Sequence, residues 1–172
     1  EFKLLYLVGS DNLEIKRSDE FIIYQGSHGD KNASIADVIL PSAAYTEQNG
    51  LFENLEGRIQ ECRKASYPTN EASEDWKIFN LIHYSFNNSN LFSDFLSIRK
   101  LALQEIPNFS EIDMLPKTKT PVKTNTSIEA TSEKINIKNI DYYYSNSIAR
   151  ASKTMSDCRN ISNETKKNGT NN

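Results

Sequence analysis

Apolar residues fall into short, nearly continuous runs in the first quarter of the chain, and these runs predict strands. Residues 2–8 form one run that ends at Gly9, and residues 21–24 form a second. Residues 38–40 form a third, which ends at Pro41, a residue with no N–H for a strand ladder. Runs that are apolar throughout are typical of strands buried on both faces of a parallel sheet. The sequence therefore predicts a parallel α/β fold with right-handed crossovers.

Short segments connect and follow these strands. Asp30 is placed to cap a short helix over residues 33–36. Residues 43–47 predict a second helical segment. Residues 50–52 and then 56–60, which read as a strand, complete this part of the chain.

Helical spacing replaces strand patterning further along the chain. Ser73 is the predicted N-cap of a helix, with the acidic residues 74–75 in its first turn, where they complement the helix dipole. A stripe on this helix is predicted to be buried, namely Trp76, Phe79, Ile82 with His83 beside it, and Phe86. The Asn-rich residues 87–90 end the helix. A second amphipathic helix is predicted from about residue 93 and ends before Pro107.

The composition changes after residue 106. Residues 107–136 are rich in Lys, Thr and Pro and predict a disordered linker. Residues 137–144 regain β-forming side chains, and residues 145–147 are placed to cap a helix over residues 148–158. That helix is sparsely apolar, so we expect residues 137–172 to form an extension that packs on a partner and ends in a polar tail.

Composition limits the possible functions. With 172 residues and 37% hydrophobic side chains, the chain can bury a core of its own. A net charge of −3 argues against a nucleic-acid surface, which normally has a basic excess. Its apolar runs are far shorter than the ~20 residues of a spanning helix. The sequence therefore predicts a domain that contacts neither nucleic acid nor the membrane interior.

The cysteines and histidines do not have the spacing of a metal site. Cys62 and Cys158 lie far apart, and an all-cysteine iron–sulfur cluster needs four thiolates. Adding His28 and His83 gives none of the close pairs that zinc sites use. We therefore predict no metal ligand in this chain and expect Cys62 to pack as a small apolar side chain.

Several ordered motifs are present: YQGSHGD at residues 24–30, IADVILPSAAYTE at 35–47, EGR at 56–58 and SEDWKI at 73–78. A further run, SIARASKTM, covers residues 147–155. Together they resemble the C-terminal part of the large, 75-kDa-type iron–sulfur subunit of respiratory complex I, NADH:quinone oxidoreductase. That part is similar to the molybdopterin oxidoreductases, but the QG-x-HGD run favours complex I.

The resemblance implies an architecture and a set of structural residues. Residues 1–106 would be the C-terminal part of a molybdopterin-oxidoreductase-like α/β domain, followed by the linker and the extension. No catalytic, cofactor-binding or metal-binding residue is implied, because the iron–sulfur clusters belong to the N-terminal part of the subunit. The motif residues implied to be structural are Gln25, Gly26, His28, Gly29, Asp30, Asp37, Pro41, Glu47, Gly50, Glu56, Gly57, Arg58 and Trp76.

Two groups of polar residues have a functional and a structural interpretation. His28 follows a strand, where α/β folds place ligands, but no nucleophile or carboxylate pair accompanies it, so we expect it to hold its loop through a hydrogen bond to the neighbouring backbone. Gly26 and Gly29 are expected to serve turns rather than phosphates. Arg58 is expected to form a structural ion pair with an acid such as Glu47 or Glu56.

The resemblance implies a non-catalytic segment of the peripheral arm of complex I. Its partners would be the cluster-bearing half of the same subunit and other peripheral-arm subunits, on the matrix side of the mitochondrial inner membrane rather than on the cytoplasmic side in a bacterium. Two alternatives stay open: the C-terminal part of a catalytic molybdopterin oxidoreductase, and a free-standing α/β binding module. The opening strand argues against the last, since a parallel sheet needs cover.

Overall fold

The computed structural model describes residues 2–10, 13–106, 109–115 and 141–167. The chain divides into two units, Glu1–Pro116 and Lys117–Asn172. Residues 109–115 of the expected linker belong to the first unit, where the Asp113 N–H donates to the Ile59 carbonyl over 2.8 Å. The rest of the expected linker, the expected strand residues 137–140 and the end of the tail lie outside the described residues.

A three-stranded parallel sheet organises the first unit, so the predicted α/β class is confirmed. Its strands are β1 (Leu4–Val8), β2 (Phe21–Gly26) and β3 (Val38–Pro41), in the order β1-β2-β3. The central strand carries the core: Ile22 and Tyr24 are fully buried and pack with Leu7 of β1. The prediction that residues 21–24 are buried on both faces was wrong for Phe21. Phe21 is 47% exposed and three of the four residues of β3 are exposed, because these positions lie at the margins of a narrow sheet.

An antiparallel hairpin follows the sheet. Its strands are β4 (Gly50–Glu53) and β5 (Ile59–Cys62). In the turn, the Asn54 side-chain oxygen accepts from the N–H groups of Glu56 and Arg58, both over 3.0 Å. Gly57 has φ +81°, a left-handed conformation that side chains disfavour, so this residue of the EGR motif serves the turn.

The two short helical segments are single 3-10 turns. Residue 32 is the N-cap of Ala33–Ile35, so the prediction that Asp30 occupies this position was wrong. Asp30 instead contributes its carbonyl, which accepts from the Ala33 N–H over 3.1 Å. The second turn, Tyr45–Glu47, is closed by Glu47, whose carboxylate accepts from the Ala44 N–H over 3.0 Å.

Helix α1 (Asp75–Asn87) begins one residue later than predicted, with Glu74 as N-cap. Ser73 is wrong as a cap because its backbone pairs elsewhere: its N–H donates to the Pro41 carbonyl and its carbonyl accepts from Ala43. The helix ends at Asn87, and its C-cap Asn88 has φ +52°, as the Asn-rich segment predicts.

The predicted buried aromatic stripe on α1 was also wrong. Ile78 is the residue of this helix that is buried, whereas Phe79 is 39% and Phe86 is 83% exposed. Only the start of the stripe meets the sheet, where the rings of Tyr6 and Phe79 lie 5.8 Å apart. The next helix, α2 (Phe95–Glu105), agrees with prediction, and its N-cap Asp94 accepts from the Ser97 N–H over 2.7 Å.

The second unit contains a 3-10 turn (Tyr142–Tyr144), α3 (Ser147–Ala151) and α4 (Lys153–Lys167). The predicted strand character of residues 142–144 is therefore wrong. Asn146 caps α3 as expected, with its side chain accepting from the Ala149 N–H over 2.8 Å. The predicted single helix is interrupted at Ser152, which is extended and whose hydroxyl accepts from the Met155 N–H at the start of α4. In the described segments, no helix has the length and apolar character required to cross a membrane.

Candidate functional site

A hydrogen-bonded cluster at the carboxyl end of the sheet connects the sequence motifs of the first unit. We call Tyr6, Gln25, Gln48 and Asp75 the Gln25 network. Gln25, at the end of β2, is fully buried. Its oxygen accepts from the Tyr6 hydroxyl on β1, and its Nε2 donates to Asp75 Oδ1 over 2.6 Å. One amide therefore joins two strands to the first residue of α1.

Gln48 extends the network to the segment that precedes the hairpin. Its Nε2 lies 3.2 Å from the second carboxylate oxygen of Asp75 and 3.4 Å from the Ala43 carbonyl. Its oxygen accepts from the Asp75 N–H over 3.4 Å. Asp75 thus receives neutral donors on both oxygens and lies in the first turn of α1, where the helix dipole favours a negative charge.

The chemistry available to this network is limited. Burial, and secondarily the negative charge of Asp75, raises the pKa of Tyr6, so its hydroxyl stays protonated and donates to Gln25. The carboxamides of Gln25 and Gln48 are neither acids nor bases at ordinary pH, and Gln25 separates Tyr6 from Asp75. The arrangement suits fixed positioning of the sheet against α1 rather than proton transfer.

Trp76 is held by a second polar group beside the network. Its indole N–H donates to Glu74 over 2.7 Å, and Glu74 is buried. The ammonium groups of Lys64 and Lys77 each lie 3.7 Å from the other oxygen of Glu74. Trp76 is therefore held by a carboxylate that is itself paired with two ammonium groups.

An open cleft of about 260 Å³ borders this region. Phe52, Trp76, Phe95 and Ile98 supply its apolar walls, and Gln48 and Asp75 reach its margin. It lies somewhat below the range of roughly 300–1,000 Å³ that small-molecule pockets usually have. The residues that line the cleft include no cluster of acid, base and nucleophile.

His28 lies in an exposed loop after β2. Its Nδ1 is 2.9 Å from the hydroxyl of Ser27, so it contacts a neighbouring side chain rather than the backbone expected from the sequence. Gly29 has φ +62°, which agrees with a role in the turn. Gly26 is required by packing: a Cβ there would lie 2.3 Å from the hydroxyl oxygen of the fully buried Tyr24. Gly29 therefore serves the turn, whereas the turn role expected of Gly26 was wrong, because Gly26 ends β2 and is needed there for packing against Tyr24.

Asp37, from the IADVILP motif, fastens the crossover that leads into β3. Its Oδ2 accepts from the Ile22 N–H over 2.8 Å, and its Oδ1 pairs with the guanidinium of Arg17. Arg17 also donates to the Ile35 carbonyl over 2.7 Å. The Ile22 N–H, and then Arg17, hold the pKa of Asp37 below its usual value.

This lowered pKa gives a pH-dependent contribution to stability. A carboxyl whose pKa is lower in the folded state stabilises the fold above its unfolded pKa of about 4, and the contribution is lost as the pH falls below that value. We expect Asp37→Asn to be less stable than wild type at pH 7 and the difference to shrink below about pH 4. Urea unfolding across a pH series measures this. Arg17→Met should remove only part of the pH-dependent stability that Asp37 contributes, because the Ile22 N–H still donates to Asp37. A stability difference between Asp37→Asn and wild type that does not change with pH would contradict the prediction.

The expected ion pair of Arg58 is absent from the described residues. Arg58 pairs with neither Glu47, which caps its own turn, nor Glu56, which lies near Asn54. The guanidinium Nε of Arg58 is buried without a hydrogen-bond partner. The prediction failed because both acids are engaged locally. Pro41 ends β3 and Gly50 begins β4, as their motif positions suggest.

The cysteines form no cluster. Both are free thiols; Cys62 ends β5 with its Sγ 3.5 Å from the Tyr45 carbonyl, and Cys158 lies exposed on α4. His83 is half-buried, with its Nδ1 2.9 Å from the Ser89 carbonyl. Within the described parts of the chain, no three His, Cys, Asp or Glu side chains are grouped to hold a metal ion.

The sequence motifs identified Gln25, Asp37 and Trp76 but not the side chains that bind them. The partners outside the predicted structural residues are Tyr6, Arg17, Gln48, Glu74 and Asp75, the last two of which lie inside the SEDWKI motif. Asp75 had a usable signal, because an acid in the first turn of a predicted helix is placed to accept hydrogen bonds. The contact between Gln25 and Asp75 joins residues 50 positions apart, and no local pattern indicates it.

Comparison with known proteins first shows a family similarity in the N-terminal part of the chain. Residues 1–83 match the sequence profile of the molybdopterin oxidoreductase family. Over most of its length the chain is then similar to large subunits of NADH:quinone oxidoreductases. It is 35% identical over 164 residues to the NADH-ubiquinone oxidoreductase 75 kDa subunit of Reclinomonas americana, covering 94% of this chain and 24% of the relative.

Two further relatives agree. An NADH-quinone oxidoreductase subunit of Rickettsia bellii is 39% identical over 159 residues, which cover 92% of this chain and 23% of that protein. The mitochondrial NADH-ubiquinone oxidoreductase 78 kDa subunit of Candida albicans is 39% identical over 168 residues, which cover 91% of this chain and 23% of that protein. The chain is thus similar to large NADH:quinone oxidoreductase subunits over more than nine-tenths of its own length. It spans about a quarter of the length of the relatives it matches.

Proposed function

We propose that this chain is a structural segment of the peripheral arm of respiratory complex I. The assembly transfers electrons from NADH to ubiquinone and couples this transfer to proton pumping, whereas the chain itself has no catalytic step. The names of its relatives support the assembly, and the Gln25 network supports the structural role. In that network, motif residues of β2 and α1 are occupied in holding each other.

The partners follow from the same proposal. The chain would pack on the cluster-bearing part of its subunit and on other peripheral-arm subunits, and the iron–sulfur clusters would lie outside it. Two of the relatives are named as 75- and 78-kDa subunits of NADH-ubiquinone oxidoreductases, the second of them mitochondrial. We therefore place the chain in a mitochondrial peripheral arm, on the matrix side of the inner membrane.

A catalytic molybdopterin oxidoreductase is the second candidate, because residues 1–83 match that family. Its chemistry would require a bound molybdenum cofactor, with a ligand to the metal supplied from another segment. The two functions differ in measurable content: molybdenum in the purified assembly for one, and NADH oxidation with iron–sulfur clusters for the other.

Native electrophoresis of gently solubilised membranes tests the proposal. We expect the chain to migrate in a large NADH-oxidising band in which mass spectrometry identifies cluster-bearing subunits. Migration alone, or with molybdenum and without NADH oxidation, would contradict it. Gln25→Leu should reduce the amount of chain in this band, and Gln60→Leu, at an exposed glutamine of β5, is the matched control.

A further inference from the structure

Among the residues that the structure describes, none pairs with the outer edge of strand β1. Within the described segments it pairs with β2 and with no other strand. The Gly9 N–H donates to the Gln25 backbone carbonyl, and the Lys3 carbonyl accepts from the Phe21 N–H. The backbone N–H and C=O groups of the odd-numbered residues of this segment therefore point toward β2. Because backbone groups alternate in direction along a strand, those of Leu4, Tyr6 and Val8 point to the open side.

The opposite edge of the sheet is treated differently. The Ser73 N–H donates to the Pro41 carbonyl over 3.2 Å, and the Ala43 N–H donates to the Ser73 carbonyl over 2.8 Å. The end of β3 is thus closed by the segment that leads into α1. Strand edges that stay free are usually protected from pairing by charged residues, proline or a bulge. Strand β1 has the sequence Leu-Leu-Tyr-Leu-Val and contains neither a charged residue nor a proline.

Apolar surface continues from this edge over both faces of β1. On one face, Leu4 is 55% and Val8 is 43% exposed. On the other lies a groove of about 990 Å³, lined by Phe2, Leu5, Leu7, Leu13 and Ile15, with Lys3, Lys16, Asp19 and Glu20 also on its walls. A strand that is apolar on both faces belongs in the interior of a parallel sheet, covered on each side.

We propose that the sheet continues beyond β1 with a fourth strand, parallel to β1, supplied by the part of the subunit that this chain does not span. The relatives are about four times as long as the matched segment, so they contain ample chain for such a strand and for an apolar connection that fills the groove. This inference rests on the proposed function, since it names the partner surface of the proposed segment. The backbone of this partner strand would donate hydrogen bonds to the carbonyl groups, and accept them from the N–H groups, of Leu4, Tyr6 and Val8.

Hydrogen–deuterium exchange resolved to single residues tests this pairing. The amides of Leu5, Leu7 and Gly9, which face β2, should exchange slowly both in the chain alone and in the assembled complex. The amides of Leu4, Tyr6 and Val8 should exchange quickly in the chain alone and at least roughly 100-fold more slowly in the complex. This alternating pattern distinguishes strand addition from general burial, which would protect neighbouring amides alike.

The outcomes are separable. If the chain is in the NADH-oxidising band but Tyr6 and Val8 still exchange quickly, the fourth strand is wrong and the proposed function stands. If the chain is absent from that band, both are wrong. If these amides become protected in the chain alone as its concentration rises, the partner is a second copy, which also overturns the inference.

A matched pair of variants tests the edge directly. Val8→Pro removes an outward N–H at a position where β2 needs none, whereas Val8→Thr keeps the N–H and the branched shape. We expect Val8→Pro to lower recovery of the chain in the complex at least about tenfold and Val8→Thr to leave recovery near wild type. Equal recovery of the two variants would contradict the pairing. Protection of Leu5 and Leu7 shows whether Val8→Pro still folds, and the exchange pattern of the wild-type complex decides the inference if it does not.

Discussion

Replacing Gln25 with leucine is expected to lower the free energy of unfolding by about 3 kcal/mol. Leucine fills a similar volume but neither accepts from Tyr6 nor donates to Asp75. Losing a hydrogen bond to a charged group costs about 1.5–3 kcal/mol, and a hydroxyl left without an acceptor adds about 1–3 kcal/mol before any relaxation. Urea unfolding of wild type and variant at neutral pH measures the difference.

Two further variants separate the network from general packing. Gln60→Leu makes the same change at an exposed site and should alter stability by less than about 0.5 kcal/mol. Tyr6→Phe should destabilise the wild type by about 1 kcal/mol but cost little in the Gln25→Leu background, where it removes a hydroxyl that has lost its acceptor. Additive effects of the Tyr6 and Gln25 changes would show that the two side chains do not act together.

Local signals in the sequence were sufficient for the sheet. The run from residue 2 ends at Gly9, which has φ +59°, and the run from residue 38 ends at Pro41. The two outer strands each end at a residue whose backbone chemistry stops a strand, so the strands and their parallel direction were predictable from apolar runs and the residues that end them. Helix α2 was predicted from its amphipathic spacing and from Pro107, which follows it, and its N-cap Asp94 lies one residue from the predicted start.

Tertiary competition explains what the sequence did not show. Ser73 has the chemistry of a helix cap, but its backbone is used by Pro41 and Ala43, which moves the start of α1 by one residue. The aromatic stripe of α1 has helical spacing, yet the sheet is wide enough to cover only its first part. Arg58 is close to two glutamates in sequence, but both carboxylates have nearer partners.

The candidate site shows the same division. The glycine positions were predictable, because a left-handed φ at Gly29 or Gly57 is a local requirement. The Gln25 network was not predictable, because it forms only when the start of α1 packs against the end of β2, and no local pattern indicates that contact. A motif residue such as Gln25 is compatible with catalysis, binding or structure until its partners are known, and its partners here are all structural.

Ile22→Ala is expected to lower the free energy of unfolding by about 2–5 kcal/mol, the usual range for emptying a buried aliphatic site. Ile22 is fully buried in the central strand and packs with Leu7 and Tyr24, so the surrounding side chains have little room to collapse into the cavity. Ile22→Val should cost only about 0.5–1.5 kcal/mol, because most of the packing is retained.

Ile39→Ala is the matched control for this prediction. Ile39 is opposite Tyr24 in the register, so it projects from the same face of the sheet as Ile22, but it is 54% exposed. We expect a loss of less than about 1 kcal/mol from its truncation in the chain alone. Because Ile22 belongs to the core and Ile39 to the margin, the ratio of the two losses measures whether β2 is the centre of the folding unit. If the two truncations lowered the free energy of unfolding equally, Ile39 would contribute as much to the core as Ile22, and β2 would not be the main core strand.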